Sequence, residues 1–192
     1  MSDNKAGTFE LVLDESIRAE DKIPYRKLKV ALEDQNITEI VLVFIGVKHL
    51  LEDSVLLLRS MLMNRRPGVI LTAKVLSSLA TPDLLLYLIA DHRFIVNPDV
   101  HFWFRSSDSA PATIEEEMAL LGMEPCRKAN FRTMDRQRVR ELVSEYVDLE
   151  DLKDKMLSGE DMAELGLVNG CSIDNLLESL GTVPIQGSRG KI

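Results

Sequence analysis

Three hydroxyl side chains cluster in residues 76–83, a segment that reads Leu-Ser-Ser-Leu-Ala-Thr-Pro-Asp and is called the corner segment below. They belong to Ser77, Ser78 and Thr81. A hydroxyl becomes a nucleophile when a histidine lies within hydrogen-bond reach to take its proton, which is the chemistry of hydrolysis and acyl transfer. His49 is the best-placed base, because it follows a strand whose end should approach the corner segment. The alternative for His49 is a solvated side chain, since no third residue visibly orients its ring.

The other histidines are His92 and His101. We expect His92 to end a buried helix, where a cation suits the negative helix terminus, and His101 to lie on a strand. No spacing among the three histidines suggests a metal site. The two cysteines, Cys126 and Cys171, are too few for a zinc ribbon or a disulfide framework. The sequence therefore predicts neither a metal nor another cofactor.

The corner segment lies inside a strand–helix–strand unit. Gly68–Val75 is a β-branched apolar run and 93–96 is a second apolar run, so both favour strands. Pro82–Ala90 is almost continuously apolar, which predicts a helix packed on every side at the centre of the domain. Ligands collect where strands end and helices begin in such folds.

The elements before this unit predict a parallel sheet. Strands are expected at Thr8–Leu13 and at 39–46, and helices at 25–33 and 54–63, which gives the order β-α-β-α-β-α-β. The continuous apolar character of 39–46 is typical of a strand covered on both faces. A further strand is expected at 100–104, and helical spacing also predicts helices at 113–122, 136–146, 149–156 and 158–166.

The end of the corner segment also has a purely structural interpretation. Thr81, Pro82 and Asp83 fit the N-cap, N1 and N2 positions of the buried helix. The same residues suit an oxyanion site poorly, because proline has no N–H and the carboxylate brings negative charge. We therefore expect a helix cap here rather than a reactive hydroxyl.

The length, composition and charge of the chain limit the classes of function that it can have. The 192 residues suffice for one domain over 1–192, with 1–7 and 187–192 expected to be disordered. The net charge of −8 argues against nucleic-acid or membrane partners, and the polar start is no secretory signal, so a cytoplasmic protein is expected. One basic cluster, residues 127–140, is interpreted as a solvated helix face or a charge-complementary contact between subunits.

Residues 154–169, which read Asp-Lys-Met-Leu-Ser-Gly-Glu-Asp-Met-Ala-Glu-Leu-Gly-Leu-Val-Asn, resemble the closing segment of the caseinolytic protease proteolytic subunit, ClpP. Residues 90–98, Ala-Asp-His-Arg-Phe-Ile-Val-Asn-Pro, resemble a turn of that family and equally a segment of signal peptide peptidase A. The resemblance covers nearly the whole chain and is poorest over 106–133. It implies an α/β fold of the ClpP/crotonase type, a spiral of ββα turns around a central buried helix.

The resemblance also assigns positions to the family's catalytic residues. Asp154 falls on the catalytic aspartate and Thr81 on the nucleophilic serine. The histidine position falls on Phe104 or, one residue later, on Arg105, and neither side chain can act as a base near neutral pH. An ion pair between Arg105 and Asp154 would instead hold the two elements together.

The family's glycine-rich oxyanion loop is replaced here by Gly46-Val-Lys48-His49. The leading hypothesis is therefore a pseudoenzyme, a non-catalytic subunit, scaffold or binding module, that forms a trimer or ring or assembles with an active relative. One alternative is an active serine-type endopeptidase with displaced residues, including a His49 dyad with Ser77, Ser78 or Thr81. The other is an acyl-thioester binder of the crotonase type.

Overall fold

The computed structural model describes residues 7–14, 22–45, 50–104, 127–152 and 155–169, and the structural statements below concern these residues. The helix predicted at 113–122 lies outside them. So do the segments 1–7 and 187–192, apart from Gly7. None of the helices in the described ranges is both long and apolar enough to cross a membrane.

The elements follow one another in an alternating order. They are β1 (Thr8–Leu13), α1 (Lys22–Glu33), β2 (Glu39–Phe44), α2 (Glu52–Met63), β3 (Ile70–Val75), β4 (Leu79–Ala80), α3 (Thr81–Leu88), β5 (His92–Ile95), β6 (His101–Trp103), α4 (Arg127–Ser144), α5 (Leu149–Leu152), β7 (Met156–Ser158) and α6 (Gly159–Glu164). The expected β-α-β-α-β-α-β order of the first half is confirmed except for the short strand β4, which the prediction did not include.

The main sheet has four parallel strands in the order β1-β2-β3-β5. In its centre, Leu42 of β2 lies opposite Leu11 of β1 and Ala73 of β3, and all three side chains are buried. Each connection leads from one strand to its neighbour, always in the same direction across the sheet. Because parallel crossovers are right-handed, such steps place α1, α2 and α3 on one face of the sheet.

A second, small sheet has the order β4-β6-β7. The two-residue strand β4 lies within the corner segment, where Leu79 pairs with Phe102 and Ala80 with Trp103 in parallel. β7 pairs with β6 in the antiparallel sense. The corner segment is therefore fixed by strand pairing on one side and by helix α3 on the other. This arrangement confirms the predicted α/β fold class with a central buried helix.

Helix α3 is buried on nearly every side, as its apolar sequence predicts. All of its residues except Pro82 are buried. The Tyr87 hydroxyl donates a hydrogen bond of 3.0 Å to the carbonyl oxygen of Leu167, and its ring packs against Phe102 with centroids 5.5 Å apart. Burial raises the pKa of Tyr87 above its ordinary value of 10.0, an effect that the charge of Arg93 opposes. The phenol therefore serves as a buried hydrogen-bond donor.

The predictions for His92 and for the segment after Leu152 are wrong. His92 does not end the buried helix but begins β5, because the Asp91 N–H already donates to the Leu71 carbonyl and joins the chain to the sheet. The helix predicted over 149–156 ends at Leu152, and the chain then forms β7 against β6. A four-residue helix has little stability of its own, so pairing of β7 with β6 is favoured over continuation of the helix.

The short helix α6 agrees with its sequence signals. The Ser158 hydroxyl accepts the Asp161 N–H, and the Asp161 carboxylate accepts the Ser158 N–H in return. The Ser158 N–H and the Ser158 hydroxyl both donate to the Asp161 carboxylate and hold its pKa below the ordinary range. Gly166 follows with a φ of 69°, a conformation that favours glycine.

One polar network joins the amino ends of the central strands to the end of α2. The Arg65 guanidinium donates to both Asp91 carboxylate oxygens, at 3.0 and 2.9 Å, and to the carbonyls of Leu62 and Val69. The same carboxylate accepts the Leu71 N–H at 2.8 Å. This network ties the last turn of α2 to β3 and to the start of β5.

The Asn169 side chain extends the network to the far end of the described chain. Its amide oxygen accepts the Arg93 N–H and its amide N–H donates to the Asp91 carbonyl, both at 2.8 Å. The two segments that carry the sequence resemblance, 90–98 and 154–169, therefore meet in space.

We predict that Arg65→Ala lowers the free energy of unfolding by about 2 kcal/mol, because it removes the ion pair with Asp91 and the side-chain hydrogen bonds to the Leu62 and Val69 carbonyls. Arg65→Lys should recover less than half of this loss, since lysine keeps the charge but not the planar fork. Urea denaturation of the three proteins measures both effects. Equal stability of wild type and Arg65→Ala would contradict a structural role for the network.

Candidate functional site

The corner segment lies where the carboxyl ends of β1, β2 and β3 approach the first turn of α3. A small cavity of about 10 Å³ lies here, which is about the space that one water molecule needs. It is lined by Leu13, Asp14, Phe44, Leu50, Ser77, Ser78, Leu79 and Asp83. The site therefore combines apolar walls with two hydroxyls and two carboxylates.

The central interaction of this site is a buried hydrogen bond between Leu50 and Asp83. Asp83 occupies the first turn of α3 and only 4% of its surface is exposed. Its Oδ1 accepts the backbone N–H of Leu50 at 3.1 Å. The carboxylate therefore takes up a peptide donor in the loop after β2, at the positive end of the buried helix.

Both serine hydroxyls of the corner segment contact the backbone. The Ser77 hydroxyl donates to the Phe44 carbonyl at 3.4 Å, at the end of β2. The Ser78 hydroxyl accepts the backbone N–H of His101 at 3.0 Å. His101 thus approaches Ser78 through its main chain, and its side chain is exposed. These contacts hold the corner segment to β2 and to β6.

Thr81 does not cap helix α3, so the predicted cap assignment is wrong by one residue. The N-cap residue is Ala80, which has an extended backbone, and Thr81 is the first helical residue. Pairing of β4 with β6 extends the chain through Ala80 and delays the helix. The Thr81 hydroxyl instead makes a long hydrogen bond, 3.5 Å, to the Trp103 carbonyl.

Two of the positions that the resemblance assigns to a catalytic triad, Thr81 and Phe104, lie near each other along the backbone. Thr81 contacts the Trp103 carbonyl, and the N–H of the next residue, Phe104, donates to the Lys155 carbonyl at 3.1 Å. Phe104 is 1% exposed and belongs to the hydrophobic core. Arg105 and Asp154 lie outside the described residues, so the ion pair expected between them stays a prediction.

Lys48 and His49 also lie outside the described residues, and the proposed His49 dyad stays a prediction. His92 is exposed at the start of β5, one end of the sheet away from the corner segment. Among the described residues, no group of three His, Cys, Asp or Glu side chains is arranged to hold a metal ion. The described part of the site thus offers hydroxyls and carboxylates but no imidazole beside them.

The sequence interpretation missed the Leu50–Asp83 hydrogen bond. It explained Asp83 only as a negative charge that suits the positive end of the helix dipole. The signal that could have revealed the bond is the position of a carboxylate at the start of a helix that is otherwise apolar on every side. Such a group must find a hydrogen-bond donor when it is buried.

No known protein family and no curated protein matches this sequence. Several solved structures are similar to it. PA4980 of Pseudomonas aeruginosa is 18% identical, with 94% of this chain and 83% of that chain covered and a TM-score of 0.50. A probable enoyl-CoA hydratase/isomerase from Mycobacterium abscessus is 13% identical over 93% and 70% of the two chains, with a TM-score of 0.49. A monofunctional enoyl CoA isomerase from M. smegmatis is 18% identical over 93% and 79%, with a TM-score of 0.45.

The similarity to PA4980 shows a shared fold over nearly the whole chain. At 18% identity it shows the fold alone. The narrower resemblance to ClpP therefore stays a prediction, whereas the broader ClpP/crotonase fold type agrees with the architecture described above.

We predict that Asp83→Ala lowers the free energy of unfolding by about 2 to 3 kcal/mol, because a buried N–H loses its acceptor and α3 loses a negative charge at its start. Asp83→Asn should cost only about 1 kcal/mol, since its amide oxygen can still accept the hydrogen bond. A matched control is Glu160→Ala, which changes an exposed carboxylate in the first turn of α6. If chemical denaturation showed equal losses for Asp83→Ala and Glu160→Ala, the buried hydrogen bond would not be a main source of stability.

Proposed function

We propose that this protein is a non-catalytic member of the ClpP/crotonase fold that acts as a binding module or scaffold. The observation that carries the proposal is the hydrogen bond from the Leu50 N–H to the buried carboxylate of Asp83. The donor that follows β2 is the type of group that could stabilise an oxyanion, and here it already serves an internal carboxylate.

Electrostatics make this arrangement unfavourable for acyl chemistry. Two unit negative charges about 4 Å apart repel by about 4 kcal/mol at the effective dielectric constant of a protein near its surface. A single oxyanion-hole donor contributes about 3 to 4 kcal/mol to catalysis. The repulsion between Asp83 and a nearby oxyanion would thus cancel about as much free energy as a well-placed hydrogen-bond donor contributes. Pro82 adds no backbone donor at the start of α3.

The neighbouring side chains support the same proposal. The hydroxyls of Ser77, Ser78 and Thr81 all contact backbone groups that fix the corner segment. At the position that the resemblance assigns to the base, Phe104 is part of the core and has no group that can take a proton. The hydroxyls are therefore used for positioning rather than for attack.

Labelling with a fluorophosphonate probe tests the proposal. We expect the intact mass of the wild-type protein to stay unchanged under conditions that fully label an active serine hydrolase in the same tube. The matched control is the variant Ser77→Ala, Ser78→Ala, Thr81→Val, which lacks all three hydroxyls. A probe adduct on the wild type that is absent from this variant would contradict the proposal and favour an active hydrolase.

The second candidate function is binding of an acyl thioester. The observation in its favour is the position of the Leu50 N–H, which lies beside the first turn of α3 in a cavity with apolar walls. Enoyl-CoA hydratase/isomerase proteins are also among the solved structures that this chain resembles. With Asp83 in place, a thioester carbonyl would have to compete with the carboxylate for this donor.

Calorimetric titration with hexanoyl-CoA and with coenzyme A alone distinguishes the two candidates. A non-catalytic protein with an occupied donor should show no saturable binding of hexanoyl-CoA. Asp83→Gly frees the donor, whereas Asp83→Asn keeps an acceptor in its place. Tight binding by the wild type, stronger for hexanoyl-CoA than for coenzyme A, would favour the acyl-thioester binder.

A further inference from the structure

Helix α1 has one buried face and one exposed face. Tyr25, Leu28 and Ala31 are at most 9% exposed and belong to the core. On the other side of the helix, Ile23 is 70% exposed and Val30 is 60% exposed, although both side chains are large and apolar. Exposed apolar side chains that share a helix face, unlike single scattered ones, are typical of contact surfaces.

Two cations lie between these apolar side chains. Arg26 and Lys27 are exposed, and neither makes an ion pair or a side-chain hydrogen bond within the described part of the chain. Together with Ile23 and Val30 they follow the i, i+3, i+4, i+7 spacing of a single helix face. This face, called the α1 stripe below, is apolar at both ends and positively charged in the middle.

A groove with a volume of about 710 Å³ lies between the second half of α4 and the turn that leads into α5. It is called the α4 groove below, and it is lined by Gln137, Arg140, Glu141, Ser144, Tyr146, Val147, Asp148, Leu149 and Glu150. Tyr146, Val147 and Leu149 give it apolar groups that are at least partly accessible. The groove can therefore receive apolar side chains from a partner.

The charge that the α4 groove offers to a partner is negative. Asp148 and Glu150 are exposed, and neither forms an ion pair among the residues that the structure describes. The Asp148 carboxylate accepts the backbone N–H of Glu150 at 3.0 Å. Glu141 is paired with Arg138 at 3.1 Å, and the one cation of the lining, Arg140, already has a partner. Two carboxylates are therefore left for a partner.

We propose that the α1 stripe of one copy of this chain docks in the α4 groove of a second copy. The apolar ends of the stripe contact the apolar groups of the groove, and its two cations pair with the two free carboxylates. Ile23 and Val30 are seven positions apart and are separated by about 10 Å along the helix axis. Docking of i, i+3, i+4 and i+7 side chains of a helix in a groove is a recurrent mode of protein association.

The contact joins different copies rather than two parts of one chain. The exposure of Ile23 and Val30 shows that the stripe does not fill the groove of its own chain, and the described lining residues include none from α1. Helix α1 contacts β1, whereas α4 packs on α2 and α3. Because the stripe and the groove are different surfaces, the contact is heterologous, and each bound pair leaves one stripe and one groove free. Copies therefore add head to tail until a ring closes.

A membrane fits these surfaces less well than a second copy does. An anionic bilayer would suit the α1 stripe but would leave the acidic groove without a partner and would repel a chain with a net charge of −8. A second copy supplies both a positive stripe and a negative groove. Neither surface contains a residue of the corner segment, so the contact is independent of the chemistry there.

Sedimentation velocity over a range of protein concentrations tests the contact first. We expect the wild type to associate beyond the monomer at about 50 mM salt and to associate more weakly at about 1 M salt, where the Debye length falls to about 3 Å. Association that salt does not weaken would contradict the charge pairing. A wild type that stays monomeric at low salt would overturn the proposal, and its binding to phosphatidylglycerol vesicles would then favour a membrane partner.

Two variants disable one surface each. The stripe variant carries Ile23→Ser and Val30→Ser, and the groove variant carries Ser144→Arg and Glu150→Lys. Each alone should associate at least about 10-fold more weakly than the wild type, because every contact between identical copies needs both surfaces. Mixed in equal amounts, they should form a 1:1 dimer and nothing larger, since only one intact stripe and one intact groove are present in each pair. Arg26→Glu with Lys27→Glu disables the same stripe through its charge and serves as a second stripe variant.

The matched control is Met63→Ser with Leu165→Ser, which removes two exposed apolar side chains that belong to neither surface. It should associate like the wild type, and an equal loss in this control would overturn the proposal. Wild-type association by the stripe variant or the groove variant alone would also overturn it, as would a mixture that stays monomeric or forms larger assemblies. Formation of the mixed dimer would itself show that both variants are folded, and circular dichroism provides the independent check.

Discussion

The structure of the corner segment depends on the burial of the first turn of α3. The helix is surrounded by apolar side chains, so buried polar groups at its start need hydrogen-bond partners. Asp83 meets this requirement by accepting a backbone hydrogen bond from the loop after β2, and Thr81 contacts the small sheet. Through these two contacts, helix α3 fixes the relative positions of the two sheets.

The same contacts decide what chemistry the corner can support. A buried carboxylate stabilises the positive end of a helix, and this is the end at which an acyl-transfer enzyme would need to stabilise a developing negative charge. The positive end of the helix cannot stabilise the Asp83 carboxylate and a developing oxyanion at the same time. The stability of the helix start and the absence of a free donor at this position are therefore two consequences of one residue, Asp83.

In the corner segment, the backbone arrangement fits the sequence resemblance better than the side chains do. β4 pairs with β6, so the chain brings together two of the positions that the sequence resemblance assigns to catalytic residues, Thr81 and Phe104. The side chains at these two positions serve hydrogen bonding to the backbone and core packing. The fold can therefore persist where the reactive groups do not, because strand pairing and helix burial do not depend on those groups.

The sequence by itself determined the parallel α/β architecture, the buried helix and the capped helix α6, because each depends on a local apolar pattern or a local capping motif. It did not determine the start of α3, the start of β5 at His92 or the strand that follows Leu152. These depend on pairing between residues far apart in the chain, which overrides weak local preferences. Leu50 and Asp83 are 33 positions apart in the chain, and they meet only through the packing of α2, β3 and α3.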